Sequence, residues 1–176
     1  MNKIFEIFES KMVLTIVLFA FIACVLLFML PGTPMSSSDI QHITGYKPFD
    51  IQLFYRAEDM ANQLPLYNDL AFKKYLFFNM LDAIFPIVYF LLVLAIVIRY
   101  FGIDNRLFYP IMLSALLLVS FDYIENYYLN QIVRPGTQVG LELMGMAAFF
   151  SKVKWWSCFV MLFFTLLAAL YKLQQK

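Results

Sequence analysis

The sequence predicts an all-α integral membrane protein, a four-helix bundle with a long structured first loop capping the non-cytoplasmic side. Three observations predict it. Hydrophobic residues make up 62% of the 176-residue chain, against roughly 45–50% in soluble domains. The excess is gathered in four runs that each supply the ~20 apolar residues a helix needs to cross a bilayer. The one long stretch between runs carries cap residues and aromatics, among them Tyr46, Phe49, Phe54, Tyr55 and Tyr67, a composition that folds instead of remaining disordered. The length suits a single membrane domain over residues 1–176.

The first span is residues 12–31, MVLTIVLFAFIACVLLFMLP, with no charge. It is longer than a signal-peptide core and no small-x-small cleavage site follows, so it reads as a retained helix. The first loop is residues 32–74. SSSDIQHITG has a serine cap and a closing glycine, Gly45, the marks of one short helix. Residues 46–53 read as extended. Residues 55–64 place Ala57, Met60, Ala61 and Leu64 on one stripe, an amphipathic helix that Pro65 ends.

The second span is residues 75–101. Asn68 and Asp69 cap a helix that starts ahead of it, and Pro86 is expected to kink it. The third is residues 107–129, with Asp104 or Asn105 as cap. Arg134-Pro135-Gly136 signals a turn, and the following VGLELMG looks helical. The fourth span is residues 146–171, with Trp155 and Trp156 suited to an interfacial belt. No GxxxG falls within a span; Gly136-x-x-x-Gly140 lies in the third loop.

Four spans put both termini on one side. That side holds Lys3, Lys11, Arg99, Arg106, Lys172 and Lys176; the other holds Lys47, Arg56, Lys73, Lys74, Arg134, Lys152 and Lys154. The first set is denser and lies on short segments, which favours cytoplasmic termini and the long loop outside. Thirteen basic against 12 acidic residues, a net charge of +1, and no basic block exclude nucleic acid as a partner.

Charge inside the spans is not scattered. Asp122, Glu125 and Asn126 follow i, i+3, i+4 in PIMLSALLLVSFDYIENYYL and share a helix face. Charged groups in hydrocarbon cost at least ~2.5 kcal/mol each and mark function or pairing. At 1.5 Å per residue, Asp82 and Asp122 lie about 10 Å and Glu125 about 6 Å below the long-loop surface. Lys152 and Lys154 enter the same layer. Asn79, Asp82, Pro86 and Tyr89 share one face of the second span, while Ser120, Tyr123, Tyr127 and Tyr128 surround the acids of the third. The layer implies a pocket opening toward the loop. Its polar anchors are Asp82, Asp122, Glu125, Asn126 and Asn79, and its walls Tyr89, Tyr123 and Trp155. Two readings stay open: the acids line a ligand site, or they pair with Lys152 or Lys154 and lock helices together.

The chemistry these groups admit is threefold. Crowded buried carboxylates hold protons and act as acids or proton carriers. They also serve as counter-charge to a cationic amine. Their oxygens suit calcium. Spacing selects none of these, and neither a metal nor a cofactor is predicted. Cys24 and Cys158 sit in spans without a C-x-x-C, and His42, the only histidine, lies in the loop. G-x-S-x-G, H-E-x-x-H and P-loop motifs are absent.

Two resemblances follow from these residues. Asp82-Ala-Ile-Phe-Pro-Ile-Val-Tyr89 and Phe121-Asp-Tyr-Ile-Glu-Asn126, preceded by the Tyr55 helix, resemble the pattern of small uncharacterised bacterial four-span proteins. This implies a recurrent site and a bacterial inner (plasma) membrane. The arrangement of spans, structured first loop and an acid shortly before a proline is similar to the emopamil-binding (EXPERA) superfamily of sterol isomerases and sigma-type receptors. That resemblance implies a pocket for a sterol or lipophilic amine. The isomerases pair a histidine with an acid, and no span here carries histidine, so a receptor-like or lipid-binding pocket fits better than isomerase activity. The expected function is therefore binding of a small lipophilic or cationic ligand or membrane lipid. The alternatives are an accessory subunit locked to a membrane-protein partner, and a lipid-modifying enzyme using a carboxylate acid/base pair.

Overall fold

In a computed structural model describing residues 3–103, 105–134 and 139–174, all regular structure is helical. The expected cap at Asp104 and the turn at Pro135-Gly136, with the GxxxG it begins, lie outside the described residues.

The N-terminal run divides. Helix α1 (Lys3–Glu9) stops at Ser10, whose hydroxyl accepts from the Met12 amide at 3.2 Å and starts α2 (Lys11–Met29). Helix α3 (Ser37–Thr44) then folds back onto the end of α2. Its Ser37 and Ser38 hydroxyls donate to the Phe28 and Met29 carbonyls at 2.7 and 2.8 Å, filling acceptors that a helix end leaves open. Ser36 caps α3, and Gly45 closes it at φ 80°, a left-handed geometry natural to glycine.

Residues 46–53 are not extended as the sequence suggested. Phe49–Ile51 form a turn of 3-10 helix. The cause is the Phe49 side chain, which is fully buried with its ring 5.8 Å from Tyr55, 5.8 Å from Tyr67 and 6.4 Å from Tyr75. An extended strand would not deliver it there. Helix α4 (Ala57–Gln63) buries Met60 completely and packs Ala57, Ala61 and Leu64 beside it. Pro65 does not stop the chain outright; it tightens into a second 3-10 turn, Leu64–Leu66.

Helix α5 (Asp69–Asp82) begins where Asn68 accepts from the Ala71 amide at 2.9 Å, and α6 (Phe85–Phe101) continues it. The break at Ala83-Ile84 follows from Pro86, which offers no amide to the turn before it. Helix α7 (Phe108–Ile132) and α8 (Leu141–Gln174) form the most extensive pairing in the protein, with α6 against α7 and α2 against α6. Helix α8 absorbs the VGLELMG segment from Leu141 onward.

Four rods are long and apolar enough to cross a membrane: Lys11–Met29, Asp69–Phe101, Phe108–Ile132 and Leu141–Gln174. Two cores divide the bundle. The loop end is aromatic, built on Phe49, Tyr55, Tyr67, Tyr75 and Phe78 with Leu129 and Ala147. The termini end is aliphatic, built on Val97, Ile111, Ala115, Leu118, Met161 and Ala168.

Candidate functional site

Lys154 stands at the centre of the site. It is 5% exposed, and helix α8 projects it toward α7 and the first loop. Four oxygens from three residues converge on its ammonium. Asp50 reaches it with Oδ1 at 2.6 Å and its backbone carbonyl at 3.1 Å. Glu125 Oε2 lies at 2.5 Å, an ion pair placed off the hydrogen-bonding direction, and Asp122 Oδ1 at 3.3 Å. The Trp155 ring lies under the same ammonium, 5.7 Å from its centroid. Asp50, Asp122 and Glu125 stand close enough together to hold a hard cation. The tethered ammonium takes that place, so these oxygens fit a lysine rather than calcium.

Two phenols complete the shell. Tyr55, from the loop, donates to Glu125 Oε1 at 2.9 Å, and Tyr89, from α6, donates to Asp122 Oδ2 at 2.9 Å. Burial, then the adjacent Glu125 carboxylate, push the Tyr55 phenol well above the usual tyrosine range, so it stays a donor. Trp155 Nε1 is buried without a hydrogen-bond partner.

Asp82 is held differently. It is 3% exposed and accepts from the Asn126 side-chain amide. Lys154 bonds the other three acids and not this one. The helix break beside Asp82 is itself pinned: Tyr123 donates to the Ala83 carbonyl at 2.9 Å.

A cavity of about 350 Å³ adjoins the cluster. Asp50, Asp82, Asp122 and Lys154 meet it at its polar part, and Phe21, Phe85, Leu92, Val93, Ile96 and Met161 are among its apolar walls. Tyr89, Trp155 and Cys158 also line it.

The structure brings Asp82, Asp122, Tyr89 and Trp155 to the lining of one cavity. Asp122 both pairs with Lys154 and lines the cavity. Other expected members sit elsewhere. Glu125 is fully buried behind the lysine. Asn126 reaches the site only through Asp82. Asn79 donates to Asn130 at 2.9 Å, outside the cavity wall. Tyr123 is 38% exposed and Tyr127 64%, Ser120 bonds the Leu116 carbonyl of its own helix, and Tyr128 stacks on Phe150; the phase of α7 turns all four off the cavity. Lys152 is exposed, and Lys154 alone of the two turns inward. Asp50 and Tyr55 were not foreseen. Their only signal was an acid and a tyrosine embedded in the apolar loop text KPFDIQLFYR.

Fold and site define an all-helical protein with four helices suited to crossing a membrane, organised round a buried lysine–carboxylate cluster beside an apolar cavity. No protein-family profile, curated protein or solved structure matches the chain.

Proposed function

We propose that this is a four-span integral membrane protein with cytoplasmic termini, whose cavity binds a small lipophilic cation or a lipid bearing a cationic head. Counting supports the membrane placement. Lys11, Arg99, Arg106 and Lys172 mark the termini end of the four rods. About 20 residues along each helix from these positions lead to Pro31, Asn79, Asn126 and Lys152. Those four residues define one opposite boundary, where exposed Lys152 meets headgroups, which puts Asp82 and Asp122 about 5–6 Å inside it rather than the roughly 10 Å that sequence alone suggested. The basic ring at the termini end fits the cytoplasmic face.

Asp82 carries the ligand reading. Four buried carboxylates, Asp50, Asp82, Asp122 and Glu125, surround one ammonium. Buried charge needs a partner, and Asp82 is the acid at the cavity that Lys154 leaves to others. A cationic head beside Asp82 balances it, and an apolar body then lies along Phe85, Leu92, Val93 and Ile96. The cavity ends in the aliphatic core, so the site has a single polar end, which suits binding rather than passage across the bilayer.

The experiment is thermal unfolding of purified protein with a long-chain alkylamine, the alcohol of equal length, and extracted lipid classes. A ligand at 100 times its Kd stabilises by about 2.7 kcal/mol. The amine is expected to raise the Tm of the wild type more than the alcohol does, and Asp82→Asn to abolish that difference. Absence of any shift with every class, or an unchanged amine preference in Asp82→Asn, overturns the reading.

A further inference from the structure

We propose that residues 51–54 of the first loop re-enter the membrane and form a lipid-embedded rim of the cavity. The proposal rests on the membrane placement given above. The loop is drawn down by its flanks. Asp50 is bonded to Lys154, and Tyr55 to Glu125, so the chain between them is held at the level of the charged cluster and not above it.

The intervening residues turn outward. Ile51, Leu53 and Phe54 are 38, 57 and 40% exposed, a run of large apolar side chains at a loop tip, where water-facing loops carry polar ones. Ile51 also lines the cavity, so the tip belongs to its rim. Phe54 is the only described residue other than glycine with a positive φ, at 56°. Such a backbone is strained for a residue with a side chain and persists where surrounding structure imposes it. What it achieves is placement. The Phe54 ring lies 6.4 Å from Trp156 and 6.3 Å from Phe159, both on the exposed side of α8, at 62 and 43%.

Depth follows from α8. With Lys152 at the boundary, Trp156 lies about 6 Å and Phe159 about 10 Å inside it, at 1.5 Å per residue. The Phe54 ring, about equally far from both, then lies beside them at a similar depth, in hydrocarbon. Irregular backbone at such depth needs protein partners, and the first half of the tip has them. Here the Ile51 and Gln52 amides donate to the Pro48 and Phe49 carbonyls at 3.2 and 2.9 Å, and the Gln52 side chain bonds Lys47 and Gln63. The partner of this surface is the bilayer itself, and the cavity beside Ile51 faces lipid rather than water.

Spin labelling tests it without a ligand. In a background of Cys24→Ser and Cys158→Ala, single cysteines are placed at Phe54→Cys, Leu53→Cys, Phe163→Cys and Gln41→Cys, and the protein is reconstituted in phosphatidylcholine vesicles. Collision with oxygen reports lipid, and collision with a nickel chelate reports water. Labels at 53 and 54 are expected to favour oxygen, as the label at exposed Phe163 on α8 does, while the label at exposed Gln41 on α3 favours nickel. If 163 reads as lipid while both 53 and 54 read as water, the re-entrant tip is wrong and the membrane placement stands. If 163 also reads as water, the placement itself falls and takes the tip with it. Leu53→Cys carries the test should a change at the strained Phe54 disturb folding.

Discussion

The two ends of the bundle hold their helices together by different means. At the loop end, side chains bond across elements: Asp50 and Lys154, Tyr55 and Glu125, Tyr89 and Asp122, Asn126 and Asp82, Asn79 and Asn130. In the aliphatic core, the Ser114 and Thr165 hydroxyls turn back onto carbonyls of their own helices, contact between helices is apolar, and the cross-element bonds near it, from Arg99 to the Glu9 carbonyl and from Lys172 to the Tyr100 carbonyl, are exposed ones to backbone. Dispersion tolerates a small slide of one helix past another. A four-oxygen shell round one ammonium does not. The difference teaches that register is set at the loop end, and that the termini end follows it.

The largest effect expected of that contrast is at Lys154. Lys154→Met leaves three carboxylates facing one another, and removing one partner of a buried ion pair costs about 3–5 kcal/mol. Thermal unfolding in detergent checks it. Adding Asp50→Asn, Asp122→Asn and Glu125→Gln to the same chain is expected to restore most of the loss, because the charge imbalance and not the lysine's volume is the cause. A middle effect belongs to the other end. Ile111→Val, at a fully buried aliphatic position, is expected to cost about 0.5–1.5 kcal/mol. A loss there equal to that of Lys154→Met would break the comparison.

The smallest effect separates burial from charge. Asp39 on α3 also meets a lysine at the loop end, Lys74 at 2.7 Å, but its side chain is 21% exposed. The Lys74 hydrogen bond, followed by the Gly32 amide, holds its carboxyl below the usual aspartate range. A depressed carboxyl stabilises the fold above its ordinary value and stops doing so as pH falls through the folded one. Asp39→Asn is therefore expected to cost no more than about 1 kcal/mol near neutrality. Its Tm is expected to converge with that of the wild type below about pH 4.

The spans were readable because a run of apolar residues declares itself locally, and the caps at Ser36, Gly45 and Asn68 did so for the same reason. Asp82 and Asp122 were readable from depth, since a helix converts residue number into height, and Tyr89 from the helix face it shares with Asp82. What sequence left hidden depended on long-range placement. Asp50 meets a partner 104 residues away, and nothing in its own neighbourhood marks it. The turn at Phe49 is set by where its ring docks, against Tyr67 and Tyr75, and local propensity has no access to that. Lys154 over Lys152 was in principle legible. Ala147, Ser151, Lys154 and Met161 recur on one face of α8, a period that points the second lysine inward. The tyrosines near the third-span acids misled because nearness along a helix is not a shared face.

The position of Lys154, downstream of all four acids, has a consequence for biogenesis. A chain emerges from the ribosome N-terminus first, so Asp50, Asp82, Asp122 and Glu125 are all synthesised before the lysine that pairs with three of them. Until α8 arrives, the nascent bundle carries an acidic interior with no internal counter-ion. A chain truncated ahead of α8 therefore differs from one that carries it in the charge of its interior as well as in length.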